Sequence, residues 1–142
     1  MLKLTAGNLT LEGHFEEKAA PNTVAAIRRL LPLHSKLVQN PWSGEAASIS
    51  LDGKPFKLGD AEHESFENHT HYPAPGQVII YPGGFATVEV LFAWGSAAFG
   101  GRMGNLAGNH FASFHDSDGK LKELGRRLLW EGAQDVTIEE VK

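Results

Sequence analysis

Leu2, Leu4, Leu9 and Leu11 alternate with polar residues on either side of Gly7-Asn8, a pattern that predicts a β-hairpin with one buried face. The period changes after Pro21. Val24, Ile27 and Leu31 recur at three- and four-residue spacings while Arg28 and Arg29 fall on the other side, the stripe of an amphipathic helix that Pro32 ends. Pro21 suits the first helical position, where a missing N–H costs nothing. Strand-like segments follow at 36–40, 45–51, 77–81 and 87–94, bounded by Gly and Pro. The unbroken run Val78-Ile79-Ile80 suits a strand covered on both faces. A second helix is predicted from Gly119 to Trp130, with Leu121, Leu124 and Leu128 on one side and Gly132 as its stop, and Val136 and Ile138 mark a last strand. Many short strands with two helices predict a mostly β fold, a closed or nearly closed barrel with two flanking helices, in one domain over residues 1–142.

Composition changes this picture mainly by exclusion. With 142 residues and 42% hydrophobic content the chain can build a core without staples. Cysteine is absent, which removes disulfides, thiolate catalysis and iron–sulfur clusters and leaves His, Asp and Glu as metal donors. The net charge is −4, and the densest basic pairs, Arg28-Arg29 and Arg126-Arg127, lie in predicted helices, so no nucleic-acid partner is expected. No apolar run reaches the length of a signal-peptide core or a membrane span, and a cytoplasmic location without membrane contact is expected.

The run His14-Phe15-Glu16, then Ala20-Pro21-Asn22-Thr23-Val24 and a helix ending Leu30-Leu31-Pro32, resembles the opening of cyclophilins. Trp42-Ser43-Gly44-Glu45, Glu67-Asn68, Pro75-Gly76-Gln77-Val78-Ile79-Ile80-Tyr81-Pro82-Gly83-Gly84 and Gly108-Asn109-His110-Phe111-Ala112 are similar to a bacterial group of small cyclophilin-like domains of unknown function, the DUF3830 family. The resemblance implies an eight-stranded cyclophilin-like barrel capped by two helices, and no established activity. Cyclophilins carry a Phe-His-Arg segment whose arginine polarises the prolyl amide. Here the corresponding stretch reads His34-Ser35-Lys36-Leu37-Val38-Gln39-Asn40, without arginine, so the barrier of roughly 20 kcal/mol to X-Pro rotation lacks its usual stabiliser.

Three groupings carry candidate chemistry. Glu67, His69 and His71 alternate, so an extended segment would place them on one face as a metal site needs; the alternative is a polar loop before a strand. The His-x-His pair and Pro82-Gly83-Gly84 are also similar to cupins, although the glutamate and histidine that cupins place after these motifs are missing. Trp42 beside Glu45 offers an aromatic and a carboxylate, and an apolar setting at the barrel mouth would raise the Glu45 pKa toward proton-transfer range. In the glycine-rich stretch 95–108, Arg102 suits a carboxylate clamp, and Asn109, His110 and Phe111 supply amide, imidazole and aromatic surface at a strand end.

The reading that unites them is binding of a small polar or carboxylated metabolite at the barrel mouth by Trp42, Glu45, His69, Tyr72, Arg102, Asn109, His110 and Phe111, with Glu45 and His110 as candidate acid/base residues and no cofactor. The alternatives are a peptide-binding or prolyl isomerase-like module lacking the usual arginine, and a metal-dependent cupin-like enzyme. Strand edges in a small barrel also make association with a second copy an expectation.

Overall fold

A computed structural model describes residues 1–51, 54–56, 58, 66–83 and 88–142. Strands β1 (Leu2–Ala6) and β2 (Leu9–Phe15) form the expected hairpin, with Leu4 opposite Leu11 and Gly7 in the left-handed region at φ 61°. Helix α1 (Pro21–Arg28) follows, then β3 (Leu33–Gln39), β4 (Gly44–Ile49), β5 (His69–Thr70), β6 (Gln77–Tyr81), β7 (Glu89–Ala97), the short β8 (Gly100–Gly101) and β9 (Gly104–Asn105), β10 (Gly108–Phe114), helix α2 (Lys120–Trp130) and β11 (Gln134–Glu140). Among the described residues, antiparallel pairing runs β2-β1-β11-β3-β4-β7-β6-β10 and returns from β10 to β2, so eight strands close a barrel. β5 adds to the free side of β10, and β8 pairs with β9 as a separate ribbon.

Several expected limits move for local reasons. The first helix ends at Arg28 rather than at Pro32, because Leu30 N–H bonds to Ile27 O (2.8 Å) and Leu31 N–H to Arg28 O (3.2 Å), tightening the chain to i→i−3 spacing. β3 starts at Leu33, three residues before the alternation is obvious, because it pairs with β11 from Leu33↔Ile138 onward. β4 spans Gly44–Ile49 rather than 45–51, and β7 runs on to Ala97; Thr87, its expected start, lies outside the described residues.

Two apolar layers explain the pattern of β6 and β7. Val78, Ile80, Val90, Phe92 and Trp94 face the barrel interior with Leu4, Leu11, Leu37 and Phe114. Ile79, Tyr81 and Leu91 face outward and are covered by Phe99 and Leu106 of the 98–107 ribbon. These strands are therefore buried on both faces, as their continuous apolar runs require.

Both helices deliver side chains into the interior: Val24 and Ile27 from α1, and Leu121, Leu124 and Leu128 from α2. Gly125 lets α2 approach Trp94 so closely that a Cβ there would sit 2.2 Å from the indole. Among the described residues, a residual interior space between Phe15, Ile27, Val78 and Phe111 is about 30 Å³ and lined by apolar atoms. That is one water's share of volume. Among the described residues the barrel interior is thus closely packed with apolar side chains.

Candidate functional site

Among the described residues, a connected polar constellation lies on the outside of the seam that closes the barrel. β2 alternates, placing Leu9, Leu11 and Gly13 inward and His14 outward. β10 does not alternate. Its ladder with β6 shifts between His110 and Ala112, a bulge that leaves both Phe111 and Ala112 in the core. In a regular strand, residues three apart point to opposite faces; the extra residue brings His110 and Ser113 to the same face.

The outcome is a chain of hydrogen bonds. His110 Nε2 lies 2.8 Å from Ser113 Oγ, and Ser113 Oγ donates to Glu16 Oε1 at 2.7 Å. His14 Nε2 reaches the same Glu16 oxygen at 3.1 Å, and His14 Nδ1 meets His115 Nε2 at 3.2 Å with the two rings stacked. Asn68, itself at φ 53°, donates its amide to His110 O at 2.8 Å and approaches His110 Nδ1 at 3.4 Å. The amide nitrogen donates only, so Nδ1 accepts and the His110 proton sits on Nε2. Donors then point one way along the path from His110 through Ser113 to Glu16, with His14 donating to the carboxylate from the other side.

Charge within the cluster follows from burial and these bonds. Burial first pushes the Glu16 carboxyl up, but the Ser113 hydrogen bond and the charges of His110 and His14 together outweigh it and hold the group below its usual range. Burial pushes His110 below the ordinary imidazole value, and the nearby Glu16 charge only partly offsets that.

The sign for stability is direct: a histidine that resists protonation when folded binds fewer protons than its unfolded counterpart below pH 6.5, so its contribution is present at neutral pH and is lost as pH falls. Glu16 loses its contribution further down, as pH falls through its lowered value. Urea melts at pH 7, 6 and 5 are expected to show stability decreasing, with His110→Asn flattening the slope by up to roughly 1 kcal/mol per pH unit. An unchanged slope in that variant contradicts the placement of His110.

The other predicted residues are dispersed. Phe111 faces the core, and Asn109 is fully buried, its Oδ1 accepting from Glu67 N–H (3.1 Å) and its Nδ2 donating to Thr23 Oγ1 (3.1 Å). Glu67 turns to the start of α1, accepting from Thr23 N–H (2.5 Å) and Asn22 Nδ2 (3.4 Å). His69 packs on Phe66, and His71 donates through Nδ1 to Leu106 O at 2.8 Å. Glu67, His69 and His71 therefore do not converge, because each is held by a different part of the fold. Glu45 is exposed and accepts from Ser96 N–H at 2.9 Å, so it lacks the apolar surroundings expected of it. Trp42 and Tyr72 are exposed, and Arg102 sits in the exposed turn between β8 and β9.

Only His110 of the predicted acid/base pair belongs to the seam cluster. His14, Glu16, Ser113, His115 and Asn68 were not among the predicted site residues. The alternations His14-x-Glu16 and Ser113-x-His115 were the available signal, but their pairing across β2 and β10 needed the register. Beside the cluster, His14 also borders a cleft of about 160 Å³ with Phe15, Glu17, Arg28 and Glu140. Arg28 there is paired with two carboxylates, donating through Nε and Nη2 to Glu140 Oε1 and Oε2 (2.8 and 2.9 Å) and through Nη2 to Glu17.

The fold is shared with proteins of low sequence identity. McbB, solved in complex with tryptophan, superposes with a TM-score of 0.67 at 15% identity, over 99% of this chain and 44% of McbB, so this chain spans less than half of that protein. The hypothetical protein AF2241 from Archaeoglobus fulgidus, known from a solution structure, superposes with a TM-score of 0.59 at 20% identity over 99% of this chain and 93% of AF2241. No curated protein matches in sequence. The family model described as protein of unknown function (DUF3830) matches residues 2–140, nearly the entire barrel, and the chain belongs to that family.

Proposed function

We propose that this protein binds a small polar metabolite at the outer seam between β2 and β10 and moves a proton to or from it. The observation that carries this reading is the β10 bulge, which aims His110 and Ser113 at Glu16 within 2.8 and 2.7 Å contacts. A bulge that redirects a titratable side chain is a frequent device beside active sites. His14 is the solvent-facing end, with a half-exposed side chain beside the 160 Å³ cleft, and His110 is the sheltered end, 13% exposed. His14 donates to Glu16 from the solvent side and Ser113, itself receiving from His110, donates to it from the sheltered side, so Glu16 is the acceptor on which protons from both directions converge, an arrangement suited to general acid/base work.

The cleft admits a ligand of a few heavy atoms. Its guanidinium is already neutralised by two carboxylates, so hydrogen bonding rather than a carboxylate clamp recognises the substrate. The competing role is a polar clasp that only fastens the seam.

Amide and histidine chemical shifts measured against a panel of small hydroxy, keto and amino compounds separate the two. Saturable changes at His14, Glu16, His110 and Ser113 are expected, lost in Glu16→Gln while the folded spectrum is kept. If no compound perturbs the seam and Glu16→Gln alters only the melting temperature, the clasp is the whole role.

A further inference from the structure

A second built feature lies elsewhere on the barrel, where β4 meets the start of β7. Glu89 Oε1 accepts from Asn40 Nδ2 and from Ser48 Oγ, each at 2.9 Å. Asn40 is itself buried, and its Oδ1 accepts from Trp42 N–H at 2.8 Å, so this donor is locked by the turn after β3. Two neutral donors on one oxygen fix the carboxylate without cancelling its charge.

Among the described residues Glu89 has no ion-pair partner. Lys54, which lines the same groove, is held elsewhere: its Nζ donates to Leu30 O at 3.1 Å and reaches Pro32 O at 3.5 Å.

The carboxylate lies in an open groove of about 470 Å³, within the usual range for small-ligand sites of roughly 300–1,000 Å³. Ser48, Ser50, Lys54 and Glu89 supply its polar lining, with the Lys54 ammonium drawn off to the Leu30 and Pro32 carbonyls, and Val38, Leu51, Phe56 and Val88 supply its apolar walls. Val38 and Val88 are 49% and 36% exposed, which leaves apolar surface on both sides of the charge for a ligand to cover.

We infer that this groove is a binding site for a small primary ammonium compound with a short branched apolar body. The ammonium meets Glu89, whose orientation is set before binding, and the hydrocarbon covers Val38 and Val88. A neutral or anionic ligand of the same shape gains only the apolar part. This inference does not depend on the seam cluster.

The test uses isopentylamine, isopentanol and isovalerate at pH 7, with backbone amide shifts of the full chain as the readout. Isopentylamine is expected to give saturable shifts at Val38, Ser48, Val88 and Glu89, with isopentanol and isovalerate weaker by at least about tenfold, the size of one charge-assisted hydrogen bond. Glu89→Gln keeps the shape and should weaken the amine by a similar factor without affecting the alcohol. Ser48→Ala, which leaves the charge and the Asn40 hydrogen bond in place, should weaken it less. Equal binding of amine and alcohol, shifts that map to another face, or an amine affinity unchanged in Glu89→Gln each overturn the proposal.

Discussion

Gly13→Val is expected to open the barrel at its closing seam and to lower stability by about 4 kcal/mol, the exceptional end of single-substitution effects. A Cβ at Gly13 would sit 2.4 Å from Ser113 O, 2.7 Å from Phe114 Cδ1 and 3.0 Å from Phe114 Cα. Two of those three atoms are backbone, so no side-chain rotation relieves the contact, and β2 must move away from β10. The seam is short: Gly13, His14 and Phe15 pair with Phe114, Ser113 and Ala112, and Glu16 N–H to Phe111 O and His115 N–H to Glu12 O flank them. Separation exposes two strand edges and the apolar interior behind them. Chemical denaturation gives the magnitude, and amide exchange at His115 localises it, since its N–H bonds across this seam to Glu12 O at 2.8 Å. A Gly13→Val protein within about 1 kcal/mol of the parent, the centre of ordinary substitution effects, contradicts the close approach at this seam.

Gly13 also shows why the barrel was easier to anticipate than its closure. Alternation in Leu2-Leu4 and Leu9-Leu11 fixes which side of a strand is apolar, and the helical stripes of Val24-Ile27 and Leu121-Leu124-Leu128 fix which side of each helix is buried. Those are local properties of the chain. Which strand meets which is not local, and the β2–β10 contact joins residues about a hundred positions apart. The two-residue strands β5, β8 and β9 carry no period at all; the 98–107 ribbon is held by Phe99 and Leu106 covering Ile79 and Leu91.

The site was legible only in fragments for a related reason. His110 stood out as a titratable group at a strand start, but a period-two reading of Asn109-His110-Phe111-Ala112-Ser113 groups it with Ala112 and puts Ser113 on the opposite face. The bulge reverses this, and nothing in that run of side chains announces it. Glu67-x-His69-x-His71 failed in the opposite direction: the spacing was regular, yet the segment bends away from a straight strand. Asn68 takes a left-handed backbone at φ 53°, and β5 is only His69 and Thr70. Sequence spacing predicts a shared face only where the backbone stays extended. A buried polar residue, by contrast, advertises a structural duty, and Asn109 is one.

Asn109→Ala is expected to cost about 2–4 kcal/mol, because two groups lose their partner inside the protein rather than in water. Its amide closes a circuit: Asn109 donates to Thr23 Oγ1 and accepts from Glu67 N–H, while the Glu67 carboxylate accepts from Thr23 N–H. The preceding residue of α1, Ala20, offers no side-chain cap, so Glu67 takes that role from a distant segment and places a negative charge at the helix start. With Asn109 truncated, the 67–68 segment loses the bond that holds Glu67 over the helix, and α1 loses its cap in the same step. The losses are therefore not additive. Asn109→Ala and Glu67→Ala in one chain should cost less than the sum of the two singles by about 1–2 kcal/mol, as expected for residues in one hydrogen-bond network. Asn22→Ala, which removes only the long 3.4 Å contact to Glu67, should change stability by no more than about 0.5 kcal/mol. Strict additivity of the pair would mean that Asn109 and Glu67 stabilise the fold separately, and the segment carrying Asn68 to His110 would then be positioned by something other than this buried amide.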